Sequence, residues 1–215
     1  MNRNEACDIY TRLSGAYPDS LNTHHWCSTP YENLILTILS AQTTDNAVAQ
    51  VKDALLSRFP TPESLAEGNI KEIEELIHRT GFYHTKALHI KSAAKVLVEK
   101  FGGVVPSDMD SLLTLPGVGR KTANIVLYKS FGKNEGIAID THVFRLAGRI
   151  GLSKSTSQDQ VEVDLMKLYP NEIWGRLTDL FIAHGRRCCT ARKPKCDICS
   201  VKKMCYYFSF MPRIS

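Results

Sequence analysis

The chain has 215 residues, of which 43% are apolar and 23% charged, enough to bury one substantial core or two smaller ones. Its longest apolar stretch, residues 34–41, is much shorter than the roughly 20 residues that cross a bilayer. Residues 1–7 are charged and polar, without the apolar core of a signal peptide. We therefore expect a cytoplasmic protein rather than a membrane or secreted one.

The net charge of +5 is unevenly distributed along the chain. Eight of the 27 basic residues lie from residue 185 onward, together with one of the 22 acidic residues. The positive excess therefore belongs to the last part of the sequence. A basic patch of this kind suits a polyanionic partner such as nucleic acid, although an ordinary solvated surface has the same composition.

Apolar residues spaced three and four apart predict helices along most of the chain. One such stripe consists of Ala87, Ile90, Ala94, Leu97 and Phe101. A second consists of Trp174, Leu177, Phe181 and His184. Alternating strand patterns and Asn-Gly or Asp-Gly hairpin turns are not found, so we predict an all-α fold.

Three sites have the residue order that starts a helix. Thr61 before Pro62 combines a cap with a first-turn proline. Ser107 with Asp110 resembles a capping box, and Asn171 is a candidate N-cap for the second stripe. No linker or repeat marks a domain boundary.

Residues 115–121, with the sequence LPGVGRK, lie between two predicted helices at 107–114 and 120–130. Gly117 and Gly119 flank a single apolar residue, which permits a tight turn with positive φ and a close approach of the backbone to a partner. Amide groups at the start of the second helix would form an anion site suited to a DNA phosphate. A plain turn between two helices is the alternative.

Lys121 falls in the first turn of that second helix, where the helix dipole opposes a positive charge. The dipole, together with the partial burial that we expect there, favours the neutral amine, which is the form that attacks carbon. An exposed surface lysine is the alternative interpretation.

Asp140 precedes a predicted helix and is interpreted first as its N-cap. A carboxylate held at a helix end is also suited to stabilising a developing sugar cation or to assisting proton transfer. The two roles are compatible.

Five of the seven cysteines lie within 18 residues, and four of them have the spacing C-x6-C-x2-C-x5-C. These four are Cys189, Cys196, Cys199 and Cys205. Because we expect an intracellular chain, a metal or cluster site is favoured over disulfides or unligated thiols. The spacing leaves zinc and a [4Fe–4S] cluster both open. It also encloses a basic loop, residues 190–195, with Arg192, Lys193 and Lys195, which could dock against phosphates.

Together these motifs resemble the endonuclease III branch of the helix-hairpin-helix DNA glycosylases. The resemblance runs through LSAQTTD at 39–45, GFY at 81–83, LPGVGRKTAN at 115–124, IDTH at 139–142 and the four cysteines. The order of the motifs makes their combination far more specific than any one of them.

The resemblance implies two helical domains with the active site in the cleft between them. A six-helix barrel would occupy residues 23–133, and residues 1–22 with 134–215 would form an iron–sulfur domain. It implies a [4Fe–4S] cluster and makes Cys189, rather than the adjacent Cys188, the first ligand. The partner would be double-stranded DNA, bound by a monomeric, nucleoid-associated enzyme.

The activity that the resemblance implies is that of a glycosylase and AP lyase acting on oxidised pyrimidines. Lys121 would attack C1′, displace the base and form a Schiff base, after which β-elimination of the 3′ phosphate would cut the strand. Asp140 would be the essential carboxylate. Gln42 would fill the gap left by the flipped nucleotide and Phe82 would wedge between opposite bases. The remaining DNA contacts would come from His84, Leu115, Gly117, Val118, Gly119, Arg120, Arg192, Lys193 and Lys195.

Two departures from the family pattern bear on the preferred opposite base: Phe82 stands where many relatives have leucine, and His84 where some have a small polar residue. Four alternatives differ in function. A mismatch-directed thymine or uracil glycosylase shares these motifs. A non-catalytic DNA-binding module, or an iron–sulfur redox sensor, would share the binding features. An adenine-removing enzyme is disfavoured, because residues 34–41 contain no acid.

Overall fold

The computed structural model describes residues 1–22 and 27–210, without the side chains of Leu21 and Asn22. Within these ranges the regular elements are helices, with no strand, which confirms the all-α prediction. The α-helices are α1 Arg3–Ala16, α2 Pro30–Ser40, α3 Asp45–Arg58, α4 Pro62–Glu67, α5 Ile70–Ile77, α6 Tyr83–Phe101, α7 Met109–Leu113, α8 Arg120–Phe131, α9 Thr141–Ile150, α10 Gln158–Leu168, α11 Trp174–Arg187 and α12 Tyr206–Ser209.

The chain forms two compact units, which we call the central unit, His25–Lys133, and the terminal unit, Met1–His24 with Asn134–Ser215. The first residue of the expected barrel domain, at position 23, lies outside the described residues, as do residues 211–215 of the expected iron–sulfur domain. In the described chain we find no helix with the length and apolar character needed to cross a membrane.

The central unit is built around α2 and α6. The predicted stripe on α6 is buried at Ala87, Ile90, Ala94 and Leu97, with Phe101 half-buried. Helices α4 and α5 pack against α6, and α2 packs against α3, α6 and α8. Burial of one face of a helix supplies most of its stability, because isolated helices of this length are marginal in water.

The terminal unit has its own core, in which α11 packs against α1 and α9. The predicted stripe on α11 is buried at Leu177, Phe181 and His184, with Trp174 half-buried. The buried His184 is not a simple core residue, because its ring contacts polar groups on both sides.

One of the three predicted helix starts is correct. Thr61 caps α4 and accepts a hydrogen bond from the backbone N–H of Ser64. The capping box at Ser107 is wrong: Asp108 is the N-cap of α7 and accepts from the N–H of Ser111 at 2.8 Å. The helix therefore begins one residue later than predicted, with a carboxylate as its cap.

The N-cap predicted at Asn171 is also wrong, because a 3₁₀ turn, Asn171–Ile173, precedes α11. The side-chain amide of Asn171 instead donates to the carbonyl of Asn134 at 2.7 Å.

Gly102 and Gly148 allow two properties of glycine to be tested separately: its tolerance of positive φ and its low helix propensity. Gly102 ends α6 with a φ of +60°, whereas Gly148 lies inside α9, and a Cβ at either would meet no described atom within 4 Å. We expect Gly102→Ala to lower the free energy of unfolding by about 1–2 kcal/mol. Gly148→Ala should raise it by about 0.5–1 kcal/mol. Urea unfolding of both variants measures this, and equal shifts of the same sign would contradict it.

Candidate functional site

The turn between α7 and α8 is anchored by its two apolar residues. Leu115 and Val118 are buried, and the N–H of Val118 donates to the carbonyl of Leu115 at 3.1 Å. Gly117 has a φ of +78°, and a Cβ there would lie 2.8 Å from the Cβ of His89 on α6. Gly117 is therefore required both by its backbone conformation and by the close approach of α6.

Gly119 has a different role in the same turn. It is the N-cap of α8 in an extended conformation, with a φ of −98°, so positive φ is not why glycine stands here. A Cβ at Gly119 would meet nothing within 4 Å in the described structure. Helix geometry leaves first-turn amides without partners inside the helix, and Gly119 has no side chain to cap them. The backbone at this helix start is open to a ligand.

Lys121 lies in the first turn of α8, directly after this turn, and its side chain is exposed. The partial burial expected from the sequence is therefore wrong. The amine is accessible to a large ligand. Lys121 belongs to the central unit.

Asp140 belongs to the terminal unit, where it is the N-cap of α9, as predicted. One of its carboxylate oxygens accepts a hydrogen bond from the N–H of Val143 at 2.7 Å. The side chain is half-buried. This bond fixes the carboxylate while leaving its other oxygen available as an acceptor or base.

Two turns of the central unit hold non-glycine residues in the left-handed region. Gln42, after α2, has a φ of +51°, and Phe82, before α6, has a φ of +58°. Each costs on the order of 1–2 kcal/mol relative to ordinary backbone, so surrounding contacts must hold it there. Both side chains are exposed, Phe82 to 69%. An aromatic ring held this far out of the core is available to stack on a partner.

The same two turns contact each other. A Cβ at Gly81 would lie 3.4 Å from the carbonyl oxygen of Gln42. The structure thus brings together Gln42 and Phe82, which are 40 positions apart in sequence. His84 follows closely; its ring is exposed, and its Nδ1 lies 2.9 Å from a carboxylate oxygen of Glu74. That contact limits the directions in which His84 can reach a partner.

The four predicted cysteine ligands line one cavity of the terminal unit. Burial raises the pKa of the Cys196 thiol, and negative charge on Cys189, Cys199 and Cys205 raises it further. The thiols are thus near enough to influence one another, and the cavity is the space that they share. Four clustered thiolates repel one another unless a positive metal centre compensates them, so the donor set fits an iron–sulfur cluster.

Cys188 is also close to this cavity. One ligand atom from each of His184, Cys188 and Cys199 lies within 4.8 Å of the others. The thiol of Cys188 donates to the carbonyl of Lys195 at 3.4 Å. The geometry therefore brings five thiols into one region rather than the predicted four.

The basic loop, residues 190–195, is held by the protein itself. The guanidinium of Arg149 donates to the carbonyls of Thr190 and Ala191, both at 2.7 Å, and lies 3.4 Å from the sulfur of Cys189. The hydroxyl of Thr190 closes the loop by donating to the carbonyl of Lys193 at 2.7 Å. The three predicted basic side chains, Arg192, Lys193 and Lys195, are exposed.

Sequence reasoning missed two residues that support these sites. Arg149 follows Arg145 at a spacing of four, which places both on one face of α9, and this spacing was an available signal. Lys86 lies four residues before Ile90, so it continues the apolar stripe of α6 with a charged residue. Its ammonium donates to the hydroxyl of Thr43.

Comparison with known proteins places this geometry in a family. Residues 35–171 match the HhH-GPD superfamily of base excision DNA repair proteins, and residues 189–205 match the iron–sulfur binding domain of endonuclease III. The chain is 46% identical over 203 residues to endonuclease III of Synechocystis sp., covering 94% of this chain and 92% of that protein.

Solved structures agree with the sequence matches. The chain is similar to endonuclease III trapped as a covalent intermediate with DNA, in an estranged-adenine complex, with a TM-score of 0.91 and 35% identity over 97% of this chain and 98% of that one. It is less similar to a thermostable thymine-DNA glycosylase, with a TM-score of 0.78 and 26% identity over 95% of this chain and 96% of that one.

The chain belongs to the endonuclease III family of the HhH-GPD superfamily, and it is a base excision repair DNA glycosylase and AP lyase with a [4Fe–4S] cluster as its cofactor.

Proposed function

We propose that this enzyme removes oxidised pyrimidines from double-stranded DNA, with Lys121 as its nucleophile. The observation that carries the proposal is the position of Lys121: an exposed amine in the first turn of α8, directly after the close-approach turn at Gly117. A phosphate held at that turn would bring the sugar of a nearby nucleotide toward the amine.

In the reaction we propose, the neutral amine of Lys121 attacks C1′ of the damaged nucleotide. The bond from C1′ to the base breaks, and the base leaves with its electron pair and takes up a proton. Opening of the sugar ring then gives a Schiff base between Lys121 and C1′. Loss of a proton from C2′ and departure of the 3′ phosphate complete the β-elimination that cuts the strand.

Asp140 is the carboxylate that we assign to this chemistry. Its hydrogen bond from the N–H of Val143 fixes one oxygen, and the other would stabilise positive charge on the sugar or move a proton. A fixed carboxylate needs no reorganisation as charge develops.

Gln42 and Phe82 are the residues that we assign to base flipping. Both are exposed on turns that contact each other, as an element that enters a duplex from one side requires. Gln42 would occupy the gap left by the flipped nucleotide, and Phe82 would stack against bases of the opposite strand. His84 lies beside them and would contact the same region.

We assign the remaining DNA contacts to two groups. In the central unit the backbone and side chains of the turn from Leu115 to Arg120 would bind a phosphate. In the terminal unit Arg192, Lys193 and Lys195 would bind the backbone of the duplex electrostatically. On this assignment the central unit, which contains the seven α-helices α2 to α8, would be the domain expected as a six-helix barrel. The terminal unit would be the iron–sulfur domain, and a nucleoid-associated monomer would suffice.

The cluster ligands that we propose are Cys189, Cys196, Cys199 and Cys205. The matched iron–sulfur segment runs from residue 189 to residue 205, which supports Cys189 over Cys188. When bound, the cluster would hold the ends of the basic loop at a fixed separation. Arg149 holds the carbonyls of the same loop independently.

A mismatch-directed thymine glycosylase is the second candidate function. Similarity to a thermostable thymine-DNA glycosylase over 95% of this chain favours it, although at lower identity than the similarity to endonuclease III.

Borohydride trapping tests the nucleophile. We expect duplexes with thymine glycol or an abasic site to form a covalent adduct, because borohydride reduces the Schiff base. Lys121→Ala should abolish the adduct. Lys129→Ala, at the other end of the same helix, should leave it intact. Nicking of abasic DNA by Lys121→Ala at the wild-type rate would overturn the assignment.

The lesion preference separates the two candidate functions. We expect faster release of thymine glycol than of uracil or thymine opposite guanine, measured as single-turnover rates on otherwise identical duplexes. The reverse order would favour the mismatch-directed enzyme and leave the nucleophile unaffected.

Serine substitution tests which of the adjacent residues Cys188 and Cys189 is a cluster ligand. Cys189→Ser should remove a thiolate ligand, so the purified protein should lose iron, sulfide and visible absorption. Cys188→Ser should keep all three near wild-type levels. If Cys188→Ser loses the cluster while Cys189→Ser retains it, the ligand assignment is reversed.

Salt dependence tests the basic loop. Replacing Arg192, Lys193 and Lys195 by glutamine should reduce the slope of log K against log salt by about 0.9 for each DNA phosphate that the loop no longer neutralises. Replacing the exposed Lys71, Lys95 and Lys100 of the central unit is the matched control and should change the slope less. An unchanged slope in the loop variant would assign the loop to ordinary surface.

A further inference from the structure

The ammonium group of Lys86 is a buried charged group that the proposed chemistry does not use. The residue lies in the first turn of α6 and is only 5% exposed. Its Nζ donates to the hydroxyl of Thr43, a neutral partner rather than a carboxylate. Burial lowers the pKa of Lys86 to about 8, as expected for an ammonium that has lost water without gaining a counter-ion.

Each local influence on Lys86 is unfavourable to a lysine. The helix dipole opposes a positive charge in a first turn, burial opposes any charge, and the stripe position four residues before Ile90 suits an apolar side chain. Residues that break local rules in this way are commonly retained for function. Lys86 is too deeply buried to bind DNA itself, so its effect must pass through its neighbours.

Those neighbours are the two turns that carry Gln42 and Phe82. The backbone N–H of Lys86 donates to the carbonyl of Phe82 at 3.0 Å. Its side chain reaches Thr43, whose hydroxyl donates in turn to the carbonyl of Ala41 at 3.3 Å. Lys86 thus makes one hydrogen bond to each of the two turns that meet at Gly81. Each bond lies at or next to one of the two non-glycine residues with left-handed backbone, Gln42 and Phe82.

We propose that Lys86 is a positioning residue for base flipping, which holds the Gln42 turn against the Phe82 turn so that both side chains enter the duplex together. The proposal depends on the roles assigned above to Gln42 and Phe82. Without this link each turn can relax toward ordinary backbone angles, and the two side chains lose their common direction.

The test removes the two ends of the link separately and together. Lys86→Met keeps the length of the side chain and removes the donor, and Thr43→Val keeps the shape and removes the acceptor. Lys91→Met is the matched control, because Lys91 lies on the same helix but donates to the carbonyl of Gly68, away from both turns. Circular dichroism and thermal unfolding check that each variant folds.

Two substrates separate positioning from general damage to the fold. A duplex with thymine glycol requires flipping, whereas single-stranded abasic DNA presents C1′ without it. We expect Lys86→Met and Thr43→Val each to lower kcat/KM on the duplex by about tenfold, the effect of losing one hydrogen bond to a charged group. Cleavage of the single strand should stay within about twofold of wild type, and Lys91→Met should change neither.

The double variant Lys86→Met/Thr43→Val should be no worse than the more impaired of the two single variants, because both substitutions remove the same link. Fluorescence of 2-aminopurine opposite a non-cleavable abasic analogue should show less duplex opening in all three. Equal losses on both substrates, or multiplicative losses in the double variant, would overturn the proposal.

Gln42→Ala distinguishes failure of this proposal from failure of the roles on which it depends. If Gln42→Ala loses duplex opening while Lys86→Met keeps it, the positioning role is wrong and the role of Gln42 stands. If Gln42→Ala opens the duplex as wild type does, the assigned role of Gln42 is wrong, and the positioning role fails with it.

Discussion

The packing of α6 is the constraint on which the candidate DNA-facing surface of the central unit depends. One face of this helix is fixed in the core by Ala87, Ile90, Ala94 and Leu97. Three turns contact this helix. The Phe82 turn adjoins its N-terminus, the Gln42 turn is joined to it by Lys86, and the Gly117 turn packs against its His89. The hydrophobic effect fixes the position of the helix, and contacts with the helix then fix the positions of the three turns.

This arrangement explains how strained backbone persists at exposed positions. Left-handed conformations at Gln42 and Phe82 are unfavourable by themselves, and neither residue gains burial in return. Stability from the α6 core offsets them, because a rigid element holds the neighbouring atoms where relaxation is blocked. Precision at the surface therefore depends on packing in the interior.

In the terminal unit, a surface loop is held in position by hydrogen bonds to its backbone. In this basic loop, two backbone carbonyls accept hydrogen bonds from the guanidinium of Arg149. The same guanidinium lies 4.9 Å from the ring centre of Tyr207, which restricts its own movement. Arg149 thus orders the start of the loop, and the cluster that we propose at the flanking cysteines would fix its two ends.

Periodicity by itself determined that the chain is helical and where the two predicted stripes lie, because the spacing of apolar residues along a helix is a local property of the sequence. The starts at Ser107 and Asn171 were misjudged, because the carboxylate of Asp108 caps α7 in the first case and a 3₁₀ turn precedes α11 in the second. Only tertiary structure decided that Lys121 is exposed, that Gly117 and Gly119 serve different purposes, and that Lys86 links two distant turns. Those properties depend on atoms brought close by packing between residues far apart in sequence, which no local pattern contains.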